Sequence, residues 1–345
     1  MQALLTTPGT AHSTHVGNVP EPSGDGVLLR VLEVGVCGTD REISEGIFGA
    51  APEGSDELVL GHESLAVVER DGQGFSRGDL VTATVRRSCG HCLACAESSP
   101  DSCLTGDYSE RGITRLNGFA RELVLEDPSQ IIAVPPSLGR FGVLAEPTSI
   151  CARAIRHART IGGRQPWELK RALVIGAGAV GMLSTMLLRL QDIEVWTASL
   201  EESNAFVEAV GGRYVSTRNT PFAELGKFDL VIEAAGVAEL MAQTLGLLRR
   251  SGVACLLGID PRKQDVTIDG PTLALDTILE NHVLFGSVNA QRQDWLAAVE
   301  GLDDARRQWP DALEQFVGLR VPLDRFAEAF DFRGGKATLV LDDAI

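Results

Sequence analysis

Basic side chains are scarce in this sequence. Its 345 residues include 31 lysines and arginines against 47 aspartates and glutamates, which gives a formal net charge of −16. Proteins that bind nucleic acid or anionic lipid do so largely through clustered positive charge. The acidic balance therefore argues against both kinds of partner, and a well-solvated acidic surface is enough to explain it.

Long apolar runs are also lacking. No stretch approaches the roughly 18 apolar residues of a membrane-spanning helix, and the N-terminus has no basic stretch leading into an apolar core, as a secretion signal would. The apolar fraction of 44% and the charged fraction of 23% are ordinary for a globular protein. We therefore expect a cytoplasmic protein with no membrane partner.

The length of the chain suits two domains better than a single core. The first half reads as strands and turns, with β-rich runs over 27–36 and 58–68. Farther along, apolar strands alternate with helical stretches, at Ala172–Ile175, Val195–Thr197, Leu230–Glu233 and Val253–Leu257. This rhythm predicts an α/β fold whose parallel sheet is covered by helices. We predict one domain over 1–155, a second over 156–290, and a C-terminal segment over 291–345.

A glycine pattern typical of dinucleotide sites opens the second domain. The apolar strand 172–175 leads into Gly176, Gly178 and Gly181, which are spaced as GxGxxG, and an apolar helical run follows. That context of strand, glycines and helix is what the dinucleotide fingerprint requires. The glycines permit a tight turn and a close approach to the pyrophosphate, and the helix N-terminus favours its negative charge. A glycine-rich turn without a ligand is the alternative.

The choice between NAD and NADP depends on the end of the next strand. NAD sites place an acid there for the ribose hydroxyls, whereas NADP sites place an arginine. Here Ser199 ends the strand, Glu201 and Glu202 follow, and no arginine comes directly after them. Ser199 suits either coenzyme, and the two acids would repel a 2′-phosphate if they pointed inward. The sequence leans towards NAD and leaves dual use open.

Four cysteines are clustered within fifteen residues. Cys89, Cys92, Cys95 and Cys103 are spaced as C-x2-C-x2-C-x7-C, in a lobe over about 86–107. Four thiolates so close together can enclose one tetrahedral zinc ion. Disulfides are less favourable because adjacent pairs would close strained loops and because the total of seven cysteines is odd. An iron–sulfur cluster is the remaining alternative. All four positions of a zinc shell would be filled, so we interpret this site as structural.

A second metal centre is indicated upstream of that lobe. Cys37, His62 and Glu63 each lie in a glycine-containing segment, and Glu146 offers a further carboxylate near the start of the second domain. A catalytic zinc site needs three protein ligands and one open position. Taken singly these residues are ordinary, but their occurrence together with a dinucleotide fingerprint favours a catalytic metal. The sequence thus predicts two zinc ions per chain.

These motifs together resemble the zinc-dependent medium-chain dehydrogenases over essentially the whole chain. Within that superfamily the chain is most similar to the glucose 1-dehydrogenases of archaea and bacteria. The similarity is carried by GVCGTDREI at 35–43, LVLGHE at 58–63, TVRR at 84–87 and YSERG at 108–112. It implies a GroES-like, mostly-β catalytic domain and a Rossmann domain with a doubly wound parallel sheet. It also implies a C-terminal segment that returns to the first domain, and assembly into dimers or tetramers.

The resemblance also implies roles for individual residues. Thr39 would bind the reacting hydroxyl and begin its proton relay towards Glu42 or Glu146. Glu110 and Glu146 would contact the substrate, and Glu146 would also complete the catalytic zinc shell of Cys37, His62 and Glu63, directly or through water. The cofactor would be lined by Gly176, Gly178, Ala179, Val180, Gly181, Ser199, Leu257, Gly258, Ile259, Ser287, Val288, Asn289 and Lys336.

The implied reaction is the oxidation of an aldose at C1 by NAD(P)⁺ to the aldonolactone, and D-glucose is the favoured substrate. Two polar sugar contacts of related enzymes are replaced here by Val85 and Ile150. Another polyol, an amino or deoxy sugar, or a cyclitol therefore stays open as the substrate. A quinone or enoyl reductase would not need the residues of the catalytic metal site. A non-enzymatic protein that binds partners through its zinc lobe is the distant alternative.

Overall fold

The computed structural model describes residues 1–260, 262 and 265–343. The chain folds into two compact units. Unit 1 comprises 1–149, 289–303 and 316–345, and unit 2 comprises 150–288 and 304–315. Among the described residues, no helix combines the length and apolar character needed to cross a membrane.

The described residues form strands that we number along the chain. The strands of unit 1 are β1 (Gln2–Thr6), β2 (His15–Asn18), β3 (Val27–Val36), β4 (Leu58–Val59), β5 (Glu63–Val68), β6 (Leu80–Ala83), β7 (Arg86–Arg87), β8 (Ser109–Arg111), β9 (Arg115–Leu116), β10 (Leu123–Glu126), β11 (Ile131–Ala133), β18 (Val317–Pro322) and β19 (Lys336–Val340). Those of unit 2 are β12 (Arg171–Ile175), β13 (Glu194–Ser199), β14 (Arg213–Ser216), β15 (Phe228–Glu233), β16 (Leu248–Leu256) and β17 (Val283–Gly286).

The α-helices of the described residues are numbered in the same way. They are α1 (Gly38–Ser44), α2 (Leu93–Ala96), α3 (Ala145–Gly162), α4 (Ala179–Arg189), α5 (Ala205–Ala209), α6 (Ala238–Gln243), α7 (Gly270–Glu280), α8 (Arg292–Gln308), α9 (Ala312–Phe316) and α10 (Phe326–Asp331). Short 3₁₀ turns connect several of them.

Unit 1 is built around β3, a ten-residue strand whose apolar side chains are nearly all buried. β3 pairs with β5 and β10 and with the C-terminal strand β19 in one sheet, in the order β11-β6-β5-β3-β19-β18 with β10 off this path. Because β3 packs between β5 and β19, segments from the start, middle and end of unit 1 meet along one strand. Smaller sheets, β2-β1-β4 and β7-β8-β9, complete the unit.

Unit 2 contains a six-stranded sheet with the order β14-β13-β12-β15-β16-β17, and every pair in it is parallel. β12 and β15 are almost fully buried, which explains their continuous apolar runs. The chain winds outward in one direction from β12 and in the other from β15. Ligands of such doubly wound sheets bind at the carboxyl ends of the strands, where this reversal occurs.

The predicted segments and the observed units divide the chain differently. The second unit begins at residue 150, whereas the sequence suggested 156. The C-terminal segment is divided between the two units: residues 304–315 belong to unit 2, and residues 289–303 and 316–345 belong to unit 1. Helix α8 carries the chain from one unit to the other, which composition alone does not reveal.

Candidate metal and dinucleotide sites

The four-cysteine lobe brings its sulfurs together as a metal shell rather than as disulfides. Cys89, Cys92, Cys95 and Cys103 have ligand atoms within 4.8 Å of one another. The Sγ–Sγ distances are 3.5 Å for Cys92–Cys95 and 3.8 Å for Cys89–Cys95. A zinc–sulfur bond of about 2.3 Å in a tetrahedron separates two sulfurs by about 3.8 Å, whereas a disulfide separates them by about 2 Å. The spacing therefore fits zinc.

Hydrogen bonds favour the thiolate form of two cysteines of this lobe, whereas burial raises the pKa of Cys95 to about 12. A bond from the Thr105 hydroxyl lowers the pKa of Cys89 to about 5, and the same hydroxyl lowers the pKa of Cys103. The backbone N–H of Leu104 also points to Cys92 Sγ at 3.4 Å. Because the thiolate is the metal-binding form of cysteine, these donors prepare the site for a cation.

A second cluster of possible metal ligands lies at the ends of β3 and β5. Cys37 directly precedes α1, and its Sγ is 3.2 Å from Nε2 of His62, the residue before β5. His62, Glu63 and Glu146 also have donor atoms within 4.8 Å of one another. The two groups share His62, and sulfur, imidazole and carboxylate are the donor types of a catalytic zinc site. All four predicted ligands thus lie in unit 1, around His62.

Asp40 contacts two residues of this cluster, Cys37 and His62. Its carboxylate accepts a hydrogen bond from the backbone N–H of Cys37 at 2.9 Å and lies 3.5 Å from Nδ1 of His62. Burial alone raises the pKa of Asp40, but the charge of His62 and these hydrogen bonds lower it below its usual value. A carboxylate on Nδ1 leaves Nε2 free to face a metal. Sequence reasoning assigned no role to Asp40, although its position three residues after a possible ligand was a usable signal.

Glu63 forms a buried ion pair with Lys336. The ammonium of Lys336 lies 2.6 Å from Oε1 and 2.5 Å from Oε2 of Glu63, and both side chains are almost completely inaccessible to solvent. Burial lowers the pKa of Lys336, but the Glu63 carboxylate and its neighbours raise it above the usual value. Gly35 makes room for this carboxylate, because a Cβ at Gly35 would lie 2.0 Å from Oε2. The structure thus places Lys336, predicted to line the cofactor, against a predicted metal ligand.

Burial also perturbs the other groups of the cluster. It raises the pKa of Cys37 and raises that of Glu146 to about 7. Burial alone would lower the pKa of His62, but the charges of Cys37 and Asp40 raise it well above its usual value. So many titratable side chains packed in one buried place are typical of a functional site.

The predicted substrate residues occupy the same unit. Thr39 and Glu42 are half-buried, and they are one turn apart on α1. Glu110, on β8, accepts hydrogen bonds from the Arg86 guanidinium at 3.0 Å and from the Asn289 amide at 3.3 Å. Arg86 also stacks on Tyr108, with its guanidinium carbon 3.9 Å from the ring centre. The sequence indicated neither the Arg86 contact nor that Asn289 belongs beside Glu110.

The dinucleotide fingerprint has the expected backbone form. Gly176 follows β12 with a φ of +101°, and Gly178 caps the N-terminus of α4. Gly181 packs so tightly that a Cβ there would lie 1.9 Å from the carbonyl oxygen of Gly176. The N–H groups of the first turn of α4, which includes Ala179 and Val180, are free to meet a phosphate.

Most of the remaining predicted cofactor residues follow parallel strands of the same sheet. Ser199 ends β13, the segment Leu257–Ile259 follows β16, and Ser287 and Val288 follow β17. The carboxyl ends of parallel strands lie at one edge of a sheet, so these residues share that edge with the fingerprint. Asn289 and Lys336 belong to unit 1.

Comparisons with known proteins identify the family of this chain. A model of the alcohol dehydrogenase GroES-like domain matches residues 23–136, and a model of the glucose dehydrogenase C-terminus matches residues 139–342. The glucose 1-dehydrogenase of Methanocella arvoryzae is 39% identical over 342 residues, which are 95% of each chain. That of Thermoproteus tenax is 40% identical over 351 residues, or 99% of each chain. The chain belongs to the glucose 1-dehydrogenase family.

A solved structure supports the fold of this glucose 1-dehydrogenase family member. The glucose dehydrogenase of Haloferax mediterranei in complex with NADP, Zn and gluconolactone is 29% identical and superposes with a TM-score of 0.91 over 100% of both chains. The predicted fold class, a GroES-like domain with a Rossmann domain, is therefore confirmed. The similarity to zinc-dependent medium-chain dehydrogenases is confirmed as well.

Proposed function

We propose that this chain is an NAD(P)-dependent zinc dehydrogenase that oxidises C1 of an aldose and that D-glucose is its preferred substrate. The C1–H bond breaks and its electron pair leaves as hydride to NAD(P)⁺. The hydroxyl proton goes to solvent, and the new C1=O bond makes the aldonolactone. The observation that carries the proposal is that two groups of possible metal ligands, Cys37 with His62 and His62 with Glu63 and Glu146, share His62 in a chain that is similar over its whole length to glucose 1-dehydrogenases.

The donor chemistry of the two clusters fits zinc. Cys37, His62, Glu63 and Glu146 would hold a catalytic ion, and the four-cysteine lobe would hold a structural one. A bound catalytic zinc supplies Lewis acidity towards the reacting hydroxyl, and the dinucleotide supplies the hydride acceptor. Thr39 accepts the hydrogen bond of that hydroxyl and conveys its proton outward, with Glu42 or Glu146 next in the relay.

The polar residues of β8 and its neighbours suit a polyhydroxylated substrate. Glu110 presents a carboxylate, and Arg86 and Asn289 fix its orientation. A site that hydrogen-bonds substrate hydroxyls rejects analogues that lack them, because its own buried polar groups would then stay unpaired. Asn289 and Glu110 belong to the same unit, so this part of the site is formed within it.

The test is a kinetic survey of aldoses, polyols, amino and deoxy sugars and cyclitols, followed by the absorbance of the reduced nicotinamide. Both coenzymes are tested, before and after chelation of the metal. Glucose is expected to be oxidised at least as efficiently as any other substrate, and chelation should abolish the reaction. Oxidation of a cyclitol or polyol alone would move the assignment within the family, and no oxidation of any substrate would refute the proposal.

We further propose that the chain assembles as a homodimer or homotetramer. The sheet of unit 2 ends at β17, whose outer edge has no partner among the described residues. Large apolar side chains of α7 and of the segment 284–288 are 45–71% exposed, namely Leu275, Ile278, Leu279, Leu284 and Val288. A second copy related by a two-fold axis would cover both edges at once. Sedimentation analysis that finds only monomers at assay concentrations would contradict this.

The proposed location is the cytoplasm. The four-sulfur lobe requires reduced cysteines, and all seven cysteines of the chain are free of disulfides. A reducing compartment keeps such thiols available for metal. Fractionation of cells that express the tagged protein tests this.

A further inference from the structure

The end of β13 lies beside the first glycine of the dinucleotide fingerprint. The backbone N–H of Gly176 donates a hydrogen bond to the carbonyl of Ala198 at 2.8 Å, one residue before the strand ends at Ser199. The residues that follow Ser199 are therefore at the sheet edge where a dinucleotide would place its adenosine ribose. What they present there determines how a 2′-phosphate is received.

Glu201 is held at this position by two hydroxyl groups. The Ser199 hydroxyl donates to its carboxylate at 2.6 Å, and the Tyr214 hydroxyl donates to the carboxylate at 3.3 Å and to the Glu201 carbonyl at 3.0 Å. Tyr214 lies on β14, next to β13 in the sheet. The bond from Ser199 lowers the pKa of Glu201, so the carboxylate is charged at neutral pH.

This position matches the general rule for coenzyme choice. An acid about 20 residues beyond the fingerprint accepts hydrogen bonds from the ribose hydroxyls of NAD. Glu201 is 20 positions after Gly181, the last glycine of the pattern. A carboxylate fixed there can bind a ribose diol, whereas a 2′-phosphate would bring nearly two further negative charges against it.

The positively charged side chain of Arg218 lies near Glu201. The guanidinium of Arg218 donates through Nε to the carbonyl of Leu200 at 2.8 Å, and its charge also lowers the pKa of Glu201. Arg218 follows β14, so it reaches the strand end from the neighbouring strand and is not visible as an arginine directly after β13. The Arg218 guanidinium is thus near enough to Glu201 to stabilise its charged form, and it would be available to a 2′-phosphate if that charge were removed.

We propose that Glu201 is the residue that makes this chain prefer NAD to NADP. The inference rests on the proposed function, because it assumes a dinucleotide at the fingerprint. Ser199 and Tyr214 position the carboxylate, and Arg218 limits its electrostatic cost. Ribose hydroxyls meet an oriented acceptor, whereas a 2′-phosphate meets a fixed anion.

The test compares equilibrium dissociation constants of NADH and NADPH for the zinc-loaded protein. The wild type is expected to bind NADH about tenfold or more tightly than NADPH. Glu201→Gln keeps an acceptor for Ser199 and Tyr214 but removes the charge, and it should bring the two constants within about threefold of each other. Arg218→Gln in the Glu201→Gln background should weaken NADPH binding again, because the guanidinium that could bind the 2′-phosphate is then removed.

Glu202→Gln is the matched control. It makes the same change in charge one residue away, where the Glu202 carboxylate accepts its bond from the Asn219 amide at 3.0 Å. The NADH to NADPH ratio of this variant should equal that of the wild type. If Glu202→Gln shifts the ratio as far as Glu201→Gln does, net charge rather than Glu201 governs selection, and the inference is wrong.

A variant-free measurement guards against failure of Glu201→Gln to fold. In the wild type, adenosine 5′-monophosphate should displace NADH more effectively than adenosine 2′,5′-diphosphate does. The opposite order, or NADPH binding at least as tightly as NADH, overturns the role of Glu201 and leaves the proposed function intact. Failure of both coenzymes to bind would refute the proposed function itself.

Discussion

Alanine at two glycines of the fingerprint should affect different properties: stability at Gly181 and coenzyme binding at Gly178. A Cβ at Gly181 would lie 1.9 Å from the carbonyl oxygen of Gly176, a distance that real contacts do not reach, so backbone must move. Such overpacking costs about 1–3 kcal/mol. A Cβ at Gly178 meets nothing within 4 Å, and the backbone there is extended with a φ of −74°, so alanine fits without strain.

Gly181→Ala is therefore expected to lower the thermal midpoint of the coenzyme-free protein, by about 2–4 °C for each kcal/mol. Gly178→Ala should leave that midpoint unchanged. It should nevertheless weaken NADH binding about tenfold or more, because the second glycine lets the backbone approach the pyrophosphate. Gly246→Ala, also in unit 2 and with open space around its Cβ, is the control for both measurements.

Calorimetry without coenzyme and fluorescence titration with NADH separate the two effects. If Gly178→Ala melts as early as Gly181→Ala, the packing argument is wrong. If Gly178→Ala binds NADH as the wild type does, the fingerprint is a structural turn and the dinucleotide lies elsewhere.

Two further predictions concern unit 1. Cys37→Ala should reduce the zinc content measured by elemental analysis from two ions per chain to one and should remove most turnover. The control Cys255→Ala, at a buried position in unit 2, should keep both ions. A Cys37→Ala protein with two zinc ions would contradict the ligand assignment. Lys336→Met should lower the thermal midpoint of unit 1 strongly, since an unpaired buried carboxylate costs about 3–5 kcal/mol. Adding Glu63→Leu should recover most of that loss at equal zinc concentration, and a Lys336→Met protein as stable as the wild type would show that the pair is unimportant.

Sequence patterns predicted those parts of the site that are formed by residues close to one another in sequence. The fingerprint is a strand, a turn and the start of a helix, all within about one βαβ unit, and the structure has these elements at the predicted residues. The sulfurs of the Cys89 lobe are likewise close in sequence, so spacing alone indicated a shared metal. In both cases the chemistry depends on backbone that folds over a short span.

Pairings between distant segments were not predictable in this way. Arg86 and Glu110 meet because β7 pairs with β8, and Lys336 meets Glu63 across 273 positions of sequence. Arg218 reaches the end of β13 from the adjacent strand for the same reason. A single sequence indicates which side chains are present, but the register of the sheets decides which of them face each other.

The central sheet of unit 1 explains why the C-terminal strand returns to the beginning of the chain. Gly35 on β3 is paired on one side with Glu63 of β5 and on the other with Thr338 of β19. Lys336, at the start of β19, is thereby delivered to the same end of β3 as Cys37 and His62. A carboxylate as buried as Glu63 needs a nearby positive charge, and a metal ion alone would leave it unpaired whenever the metal departs. The C-terminal strand supplies that charge permanently, so the end of β3 and β5 where we propose a metal site can form before any metal binds.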